Sequence, residues 1–441
     1  MRYVIVGAGP AGVVAAETIR KLDADGTITL IGDEPEPPYS RMAIPYYLVG
    51  KIGEEGTHLR HDPDHFRNLR IDHVQRRVTR VDPNSNTVVL DDGRHLQYNQ
   101  LLIATGASPI RPPIPGLDLP GVHTCWTLAD ARRIAELATP GSHVVLMGAG
   151  FVGTIVLEAL AMRDVELTVV EMGDRMVPRM MDETAGNMLR NWCEAKGVHV
   201  RTGTRITSIH PAGNKEEEDK PGILSRLIDA VTPAGTEDGA KPEDGLRVEL
   251  SNGETLAAHL VVVSAGVKPN IGFLEGSGLA VDQGILVDDH LRTNHPGIYA
   301  AGDVCQGRDI MSREFHVHAI QPTATEHGRV AAYNMTGHEM AFVGSLNMNV
   351  LDTLGLISSS FGVWEGKGGQ SVRLVDEERW RYLRLEFEED RLVGAQSVGM
   401  TENIGALRGL IQTGVPLGEW KDVLLAQPQR FMEAYVGRIQ G

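Results

Sequence analysis

Two clusters of glycine residues have a spacing that suits the binding of a phosphate group. The first cluster is Gly7, Gly9 and Gly12, and the second is Gly148, Gly150 and Gly153. Each follows a short β-branched run and opens an apolar helical stretch. In this arrangement the first glycine permits a sharp turn, the second leaves room for a pyrophosphate, and the third allows close helix–strand packing. The free N–H groups and the positive end of the helix dipole then face the phosphates.

An acidic residue closes the next apolar run after each cluster. Asp33 follows residues 28–32, and Glu171 follows residues 167–170. In a dinucleotide site such an acid accepts hydrogen bonds from a ribose diol. Two clusters with strand, helix and acid in register therefore predict two dinucleotide sites. Glu171 would repel a 2′-phosphate, and no Arg follows it before Arg175, so we expect NADH rather than NADPH at the second site.

Composition limits the class of protein. A chain of 441 residues suggests two or three domains. The net charge of −16 argues against a nucleic-acid partner, because phosphate backbones are bound by clustered Lys and Arg. Three cysteines are too few and too scattered for a disulfide framework, which fits a cytoplasmic protein.

Two apolar stretches have other interpretations, which we reject. Residues 3–16 follow Arg2 and resemble a signal peptide, but cleavage there would destroy the first glycine cluster. Residues 143–162 approach the length of a membrane span, but their glycines fit a strand, a turn and a helix. We expect no transmembrane segment.

The elements that position these residues fall into an α/β arrangement. A first unit, residues 1–115, contains a helix over 10–22, a long loop over 33–50 and a strand within 97–106. A second unit, residues 116–266, contains the second glycine cluster and ends in an apolar strand and a small-residue turn.

The character of the chain changes near residue 341. Alternation over residues 380–387 predicts a half-buried strand, and a helical face from Ile404 to Ile411 ends at Gly414.

Residues 211–245 are rich in Pro, Gly and charged residues and are typical of a solvated insertion. Within it, residues 223–231 predict a short amphipathic helix, which either packs on its own domain or binds a partner.

Four motifs in order resemble those of the FAD-dependent pyridine nucleotide-disulfide oxidoreductases. They are the two glycine clusters, Ala104-Thr105-Gly106 between them, and residues 299–303 after them. The chain is most similar to the branch with ferredoxin and rubredoxin reductases, NADH oxidases and the flavin part of nitrite reductase. The resemblance implies two Rossmann-like domains, one inserted in the other. Residues 1–115 and 267–340 would bind FAD, 116–266 would bind NAD, and 341–441 would form an α+β interface domain.

The resemblance also implies roles for individual residues. The expected FAD ligands are Gly7, Gly9, Pro10, Ala11, Gly12, Asp33, Glu34, Arg41, Ala104, Thr105, Gly106, Gly302, Asp303, Gln321, Pro322 and Thr323. Asp33 or Glu34 would hold the adenosine ribose, and Asp303 the ribityl chain. The helix that begins at Gln321 would direct its dipole at the flavin. The expected NAD ligands are Gly148, Gly150, Phe151, Val152, Gly153, Glu171 and Gly266.

Departures from the family pattern concern the flavin-proximal candidates, which are Met42, Tyr46 and Gln321. Met42 stands where NADH oxidases place a redox cysteine, and a thioether cannot form a thiolate. Many members also carry a Lys–Glu ion pair near flavin N5. Tyr46 and Ile155 occupy those positions here, so both charges are lost together.

Several further residues have a functional and a structural interpretation. Cys125 and Cys305 are expected to be inert core residues. His58, His61, His65 and His73 match no compact metal-ligand pattern, so no metal site is predicted. One of His316, His318 and His327 is a candidate proton donor. Trp364 and Tyr435 either cover the flavin or pack in the core of the third unit.

The sequence thus predicts an FAD enzyme that takes hydride from NADH and passes electrons to an acceptor. The acceptor classes are a small redox protein, a quinone, oxygen, or an inorganic nitrogen or sulfur compound. The resemblance suggests a homodimer through residues 341–441. One alternative is an FAD-containing protein that responds to NADH by changing its association with partners. A further alternative is a flavoprotein whose electron donor is a small molecule other than NADH.

Overall fold

A computed structural model describes residues 1–213 and 245–440. Two five-stranded parallel sheets form its centre, and each follows the same plan of strand, glycine turn and helix. The predicted insertion at 211–245, with its amphipathic helix, lies almost wholly outside the described residues.

The first sheet has its strands in the order Ile298–Ala300, Gln100–Ile103, Arg2–Val6, Thr27–Gly32 and Ile71–Gln75. All four pairings are parallel. The helix Pro10–Leu22 follows the central strand and matches the predicted bounds, because Pro10 starts it without losing a needed N–H. It packs against the helix Gln321–Met335.

The second sheet has its strands in the order His199–Arg201, Glu166–Val170, His143–Met147, Leu260–Val263 and Val122–Thr124. These pairings are also parallel. The associated helices are Leu128–Leu137, Phe151–Ala161 and Glu183–Ala195. The central strands of both sheets are almost fully buried, as expected where helices cover both faces, whereas edge strands such as Ile71–Gln75 are partly exposed.

An antiparallel pair joins the two sheets. The outgoing strand Ala107–Pro109 pairs with the returning strand Val267–Pro269. The second sheet is therefore built from a segment inserted between strands of the first sheet, as predicted for two Rossmann-like domains of which one is inserted in the other.

Smaller sheets cover the edges of the two main ones. One consists of Val78–Asp82, Thr87–Leu90 and His95–Gln97, and a second of Ile206–Pro211, Leu246–Leu250 and Thr255–Ala258. A third consists of Ile285–Leu286, Cys305–Arg308 and Phe315–His316. Short α-helices lie at Ile44–Leu48 and His65–Asn68, and 3-10 turns at Arg41–Ala43, Glu54–Thr57, Gly272–Leu274 and Gly302–Val304.

The C-terminal unit is an antiparallel five-stranded sheet with helices. Its strands are in the order Met348–Thr353, Leu356–Gly362, Arg391–Val398, Arg381–Glu388 and Gln370–Asp376. Its α-helices are Ile404–Thr413, Trp420–Ala426 and Phe431–Tyr435. The 3-10 turn Pro428–Arg430 precedes the last of these helices, and the π-helical turn Val436–Gln440 follows it. The predicted helix at 404–411 is confirmed and ends at Gly414 in the left-handed region.

Two expectations were wrong in detail. The loop predicted over residues 33–50 contains the helix Ile44–Leu48, because Ile44 and Leu48 are four residues apart and both are buried. The strand Arg381–Glu388, predicted as half-buried, is covered on both faces. Leu383 packs in the core of the C-terminal unit, while Tyr382 packs against the core of the second sheet.

Candidate active site

A cavity of about 630 Å³ borders the first glycine turn and extends to the start of the helix that follows the second turn. Gly148, Gly150, Gly153 and Glu171 do not line it. Its wall includes Gly7 and Gly9 from the first turn, and Phe151 and Val152 from the start of the helix after the second turn. The carboxyl ends of parallel strands share one edge of a sheet, which is where crevices for ligands form in open α/β folds. The volume is typical of ligand pockets.

The two turns have the same backbone geometry. Gly7 has φ +116° and Gly148 has φ +98°, in the region that disfavours side chains. A Cβ placed on Gly7 would lie 2.0 Å from the carbonyl oxygen of Ala104. By contrast, a Cβ on Gly9 or Gly150 would have no protein heavy atom within 4 Å. The second glycine of each turn therefore faces open space, as a pyrophosphate site requires.

Arg41 organises the wall of the cavity beside the first turn. Its guanidinium donates hydrogen bonds to Glu34 Oε1 at 2.7 Å and to the carbonyl oxygen of Trp126 at 2.8 Å. The Tyr39 hydroxyl donates to the other carboxylate oxygen of Glu34. Burial raises the pKa of Asp303 to about 6, although the positive charge of Arg41 opposes that shift. Arg41, Glu34 and Asp303 all line the cavity.

Asp33 lies at a more exposed part of the same wall. Its carboxylate forms an ion pair with Arg77 at 2.9 Å, and its side chain is 46% exposed. Arg76 and His73 line the cavity close by, and burial lowers the pKa of His73. Three basic residues, His73, Arg76 and Arg77, were not predicted as site residues. They reach the edge that carries Asp33 because the strand Ile71–Gln75 pairs beside Thr27–Gly32.

The helix Gln321–Met335 begins at the cavity. The Gln321 side chain lines it and accepts a hydrogen bond at 2.5 Å from the Ser40 hydroxyl. Pro322 and Thr323 belong to the first helical turn but are not part of the lining, and Thr323 is buried. The positive end of the helix dipole therefore faces the space beside Gln321.

The Ala104-Thr105-Gly106 segment lines the cavity and is held by Asn270. The Thr105 hydroxyl donates to the Asn270 carbonyl oxygen at 3.0 Å, and the Asn270 amide donates to the Thr105 carbonyl oxygen at 2.9 Å. These reciprocal bonds join the outgoing and returning segments of the insertion. Gly266, with φ +95°, lies on the returning segment just before the antiparallel pair.

Glu171 is fixed by the second turn. Its side chain accepts hydrogen bonds from the backbone N–H of Ala149 at 2.6 Å and of Gly173 at 2.7 Å. The residue is only 8% exposed. A carboxylate oxygen has two acceptor positions, so these bonds leave capacity for a ribose hydroxyl. Together with Gly150, Glu171 fits the ribose and phosphate of a dinucleotide.

The three candidates for positions near the flavin, Met42, Tyr46 and Gln321, do not all lie in the cavity. Met42 lies on the cavity wall with Ile155, and Pro45 joins them. Tyr46 does not line the cavity, and it is 54% exposed. The structure therefore brings Met42 and Gln321 to one cavity and leaves Tyr46 outside it.

Burial favours the protonated form of all three cysteine thiols, of which only Cys125 lines the cavity. Cys125 lines the wall, and burial raises its pKa to about 12. Burial also raises the pKa of Cys193 to about 12 and that of Cys305 further. Because thiolates are the reactive form, these cysteines fit the structural interpretation.

The histidine and aromatic candidates lie away from the cavity wall. His318 lies 3.2 Å from Asp309, and burial lowers the pKa of His327 to about 3. Neither residue lines the cavity, and His316 does not either. Trp364 is buried, and Tyr435 packs on the core of the C-terminal unit, so the core interpretation applies to both.

The described residues contain neither a candidate metal centre nor a candidate membrane-spanning helix. Within residues 1–213 and 245–440, no three His, Cys, Asp or Glu side chains are arranged to hold a metal ion. In the same part of the chain, every helix is too short or too polar to cross a membrane.

Comparison with known proteins places these features in a family. Residues 1–326 match the family model described as pyridine nucleotide-disulphide oxidoreductase. The chain is 32% identical over 431 residues to the epsilon subunit of NADH-dependent phenylglyoxylate dehydrogenase from Aromatoleum evansii, covering 97% of this chain and 95% of that subunit. It is 29% identical to an NADH oxidase from Methanocaldococcus jannaschii, covering 92% and 90% of the two chains.

Solved structures agree with the sequence comparison. A NAD-dependent persulfide reductase from A. fulgidus superposes with a TM-score of 0.81 at 29% identity, covering 95% of this chain and 78% of that one. Putidaredoxin reductase, in complex with putidaredoxin, superposes with a TM-score of 0.84 at 23% identity, covering 99% and 98%, and shows the shared fold.

FAD and NADH are the cofactors of the matched family. The open space beside Gly9 and Gly150, the acids Glu34 and Glu171, and the buried Asp303 fit two such groups. The chain therefore belongs to the pyridine nucleotide-disulphide oxidoreductase family and is an FAD-dependent NAD(P)H oxidoreductase.

Proposed function

We propose that this oxidoreductase takes hydride from NADH and passes electrons from the flavin directly to an external acceptor. The observation that carries the proposal is the cavity that borders both the first glycine turn and the start of the helix after the second turn. The thiol on its wall, Cys125, is held protonated by burial, and Met42 occupies the loop beside it. A route through a thiolate therefore has no group to support it at this site.

The proposed cofactor assignment follows the two sheets. Residues 1–115 and 267–340 would hold FAD, with Arg41 and the first turn at its phosphates and Asp303 at its ribityl chain. Residues 116–266 would hold NADH, with the second turn at the pyrophosphate and Glu171 at the adenosine ribose. The negative charge of Glu171 supports NADH over NADPH, because a 2′-phosphate would be repelled.

The flavin, when bound, supplies a centre that accepts hydride and releases electrons. The chain supplies position and charge. The amino end of the helix Gln321–Met335 favours negative charge at the place where Gln321 meets the cavity. Ser40 holds the Gln321 side chain by donating to its oxygen. Apolar side chains that line the same cavity, including Phe151 and Ile155, would limit the access of water to the reacting rings.

A redox centre carried by another protein is the proposed acceptor. The relatives support this class, since one is a subunit of a dehydrogenase and another is named rhodocoxin reductase, 33% identical over 341 residues. Met42 on the cavity wall is 48% exposed, so electrons have a short path from the cavity to the surface. A quinone, oxygen, and nitrogen or sulfur compounds are the other outcomes of an acceptor screen.

The test is an anaerobic titration of the FAD-loaded protein with NADH, followed by acceptors added under argon. We expect the visible flavin band to bleach with one equivalent of NADH and to return when an iron–sulfur protein is added. A flavin band that does not bleach would refute hydride transfer from NADH. Recovery only with a quinone or oxygen would refute the protein acceptor.

A second function is supported by the position of Tyr46 and Ile155. Neither carries a charge, and Tyr46 lies outside the cavity, so the ion pair of related enzymes has no counterpart there. A protein of this kind would form a slow complex with NADH and change its association with partners. Stopped-flow bleaching slower than minutes, together with a change in sedimentation on adding NADH, would favour it. Fast turnover with ferricyanide would exclude it.

The proposed oligomer is a homodimer through residues 341–441. It is supported by the resemblance and by exposed apolar side chains on this unit, such as Val350 and Met432. Sedimentation equilibrium of the FAD-loaded protein tests it, and a monomer at micromolar concentration would contradict it.

A further inference from the structure

One wall of the cavity is entirely apolar. It is formed where the helix Ile44–Leu48 packs against the helix Phe151–Ala161. The side chains on this wall are Met42, Ile44, Pro45, Phe151, Val152 and Ile155. We call this set the apolar wall.

Charged side chains line other parts of the cavity. They come from residues 33–41, from residues 73–77 and from Asp303, all of which belong to the first sheet and its loops. The segments 42–45 and 151–156 contain no ionisable residue. Glu158, one turn after Ile155, does not line the cavity, and burial together with the nearby Asp352 raises its pKa.

The distribution of charged side chains matters because hydride transfer changes the charge of the nicotinamide ring. Hydride transfer moves two electrons and one proton from nicotinamide C4 to the flavin, and it leaves one positive charge on the nicotinamide ring. The reduced ring is neutral and the oxidised ring is a cation. An apolar, water-poor surface disfavours an unpaired cation much more than a neutral ring of the same shape.

We propose that the apolar wall makes this site bind the reduced, uncharged nicotinamide more tightly than the oxidised pyridinium, with Ile155 as the specificity-determining residue. The inference rests on the proposed function, because it requires the nicotinamide to enter this cavity. Its consequence is that the oxidised dinucleotide leaves readily, so the protein resists inhibition by its own product.

The test measures binding to the FAD-loaded protein by calorimetry. The probes are NAD⁺ and tetrahydro-NAD, whose uncharged ring cannot give up hydride. In the natural protein we expect a Kd for NAD⁺ at least about tenfold above that for tetrahydro-NAD. Ile155→Glu should lower that ratio by about tenfold or more, because a carboxylate close to the cation in a partly desolvated site is strongly attractive. Ile155→Gln, which has the same size without the charge, should leave the ratio within about twofold.

The outcomes separate the inference from the proposed function. If neither probe binds the natural protein, the nicotinamide assignment itself is wrong. If both bind with the same Kd, the inference is overturned while the function stands. If Ile155→Gln changes the ratio as much as Ile155→Glu, the effect is one of shape and the inference is also overturned. If Ile155→Glu does not retain FAD, the inference is tested by the natural protein alone, through the ratio of its Kd for NAD⁺ to its Kd for tetrahydro-NAD.

Discussion

The carboxylate of Glu171 accepts a hydrogen bond at 2.6 Å from the backbone N–H of Ala149, in the middle of the second glycine turn. Its other oxygen accepts from Gly173. A single buried side chain thus fixes the shape of the turn and presents negative charge beside it. This relationship has consequences for cofactor choice.

We expect Glu171→Gln to weaken NADH binding by about tenfold, because it replaces a charge-assisted hydrogen bond to the turn and places an amide N–H against a donor. The preference for NADH over NADPH should fall, since the repulsion of a 2′-phosphate is removed. Kd values for both nucleotides measure this. Glu166→Gln is the matched control, because Glu166 is 62% exposed on the same strand. An unchanged preference would refute the role of Glu171.

Alanine at two positions of the first turn should affect different properties, FAD binding in one case and stability in the other. Gly9→Ala places a methyl group in open space, with no protein heavy atom within 4 Å, so the apoprotein should fold normally but bind FAD at least about tenfold more weakly. In Gly12→Ala the Cβ would lie 1.9 Å from the carbonyl oxygen of Gly7, so the apoprotein should lose stability by about 1–3 kcal/mol. Thermal unfolding and FAD titration distinguish the two. Normal FAD binding by Gly9→Ala would contradict the phosphate assignment.

The contribution of Asp303 to the stability of the apoprotein should fall as pH rises from about 4 to about 6. Burial raises the pKa of Asp303 to about 6, whereas an unfolded aspartate titrates near about 4. In this window the folded form binds more protons than the unfolded form, so rising pH favours unfolding. Asp303→Asn should flatten this part of the curve and stabilise the apoprotein at neutral pH by up to about 3 kcal/mol.

Urea unfolding at several pH values measures the effect of Asp303→Asn, with the exposed Asp25→Asn as control. The same substitution should weaken FAD binding if the carboxylate accepts a hydrogen bond from the ribityl chain. A variant with the pH dependence of the natural apoprotein would show that another group is responsible.

A buried ionic contact joins the second sheet to the C-terminal unit. Asp182 caps the helix Glu183–Ala195 by accepting from the Ala185 N–H at 3.0 Å, and it also accepts from the Tyr382 hydroxyl and from Arg384 at 3.0 Å. We expect Asp182→Ala to destabilise the protein by about 1–3 kcal/mol, because the helix loses its N-cap and the Tyr382 hydroxyl loses its acceptor, while Arg384 keeps its ion pair with Glu386. Asp174→Ala removes a carboxylate that is 69% exposed and should cost less than about 1 kcal/mol. Equal losses in the two variants would refute the contact.

The local elements followed closely from the sequence. The helix Pro10–Leu22 and the strand before it were predictable because a proline, a glycine spacing and an apolar period all point to the same boundary. Each glycine turn directly follows a parallel strand, as the spacing predicts, but the cavity reaches only the helix after the second turn.

Features that depend on distant packing were not predictable. Tyr46 follows Pro45 in a short helix, where each residue is rotated by about 100° from the one before it, so Pro45 lines the cavity while Tyr46 faces outward. His73, Arg76 and Arg77 reach the site only because their strand pairs beside Thr27–Gly32. Nothing in the local sequence of a strand states its neighbour in the sheet.

The position of Ile298–Ala300 at the edge of the first sheet has a consequence for synthesis of the chain. A polypeptide growing on the ribosome presents all five strands of the second sheet before it reaches Ile298, so the inserted unit is able to fold first. Asp303 and the helix Gln321–Met335 emerge later still. A nascent chain therefore cannot complete the proposed flavin site until Met335 has left the ribosome, and we expect truncated products that already carry both glycine turns to remain colourless.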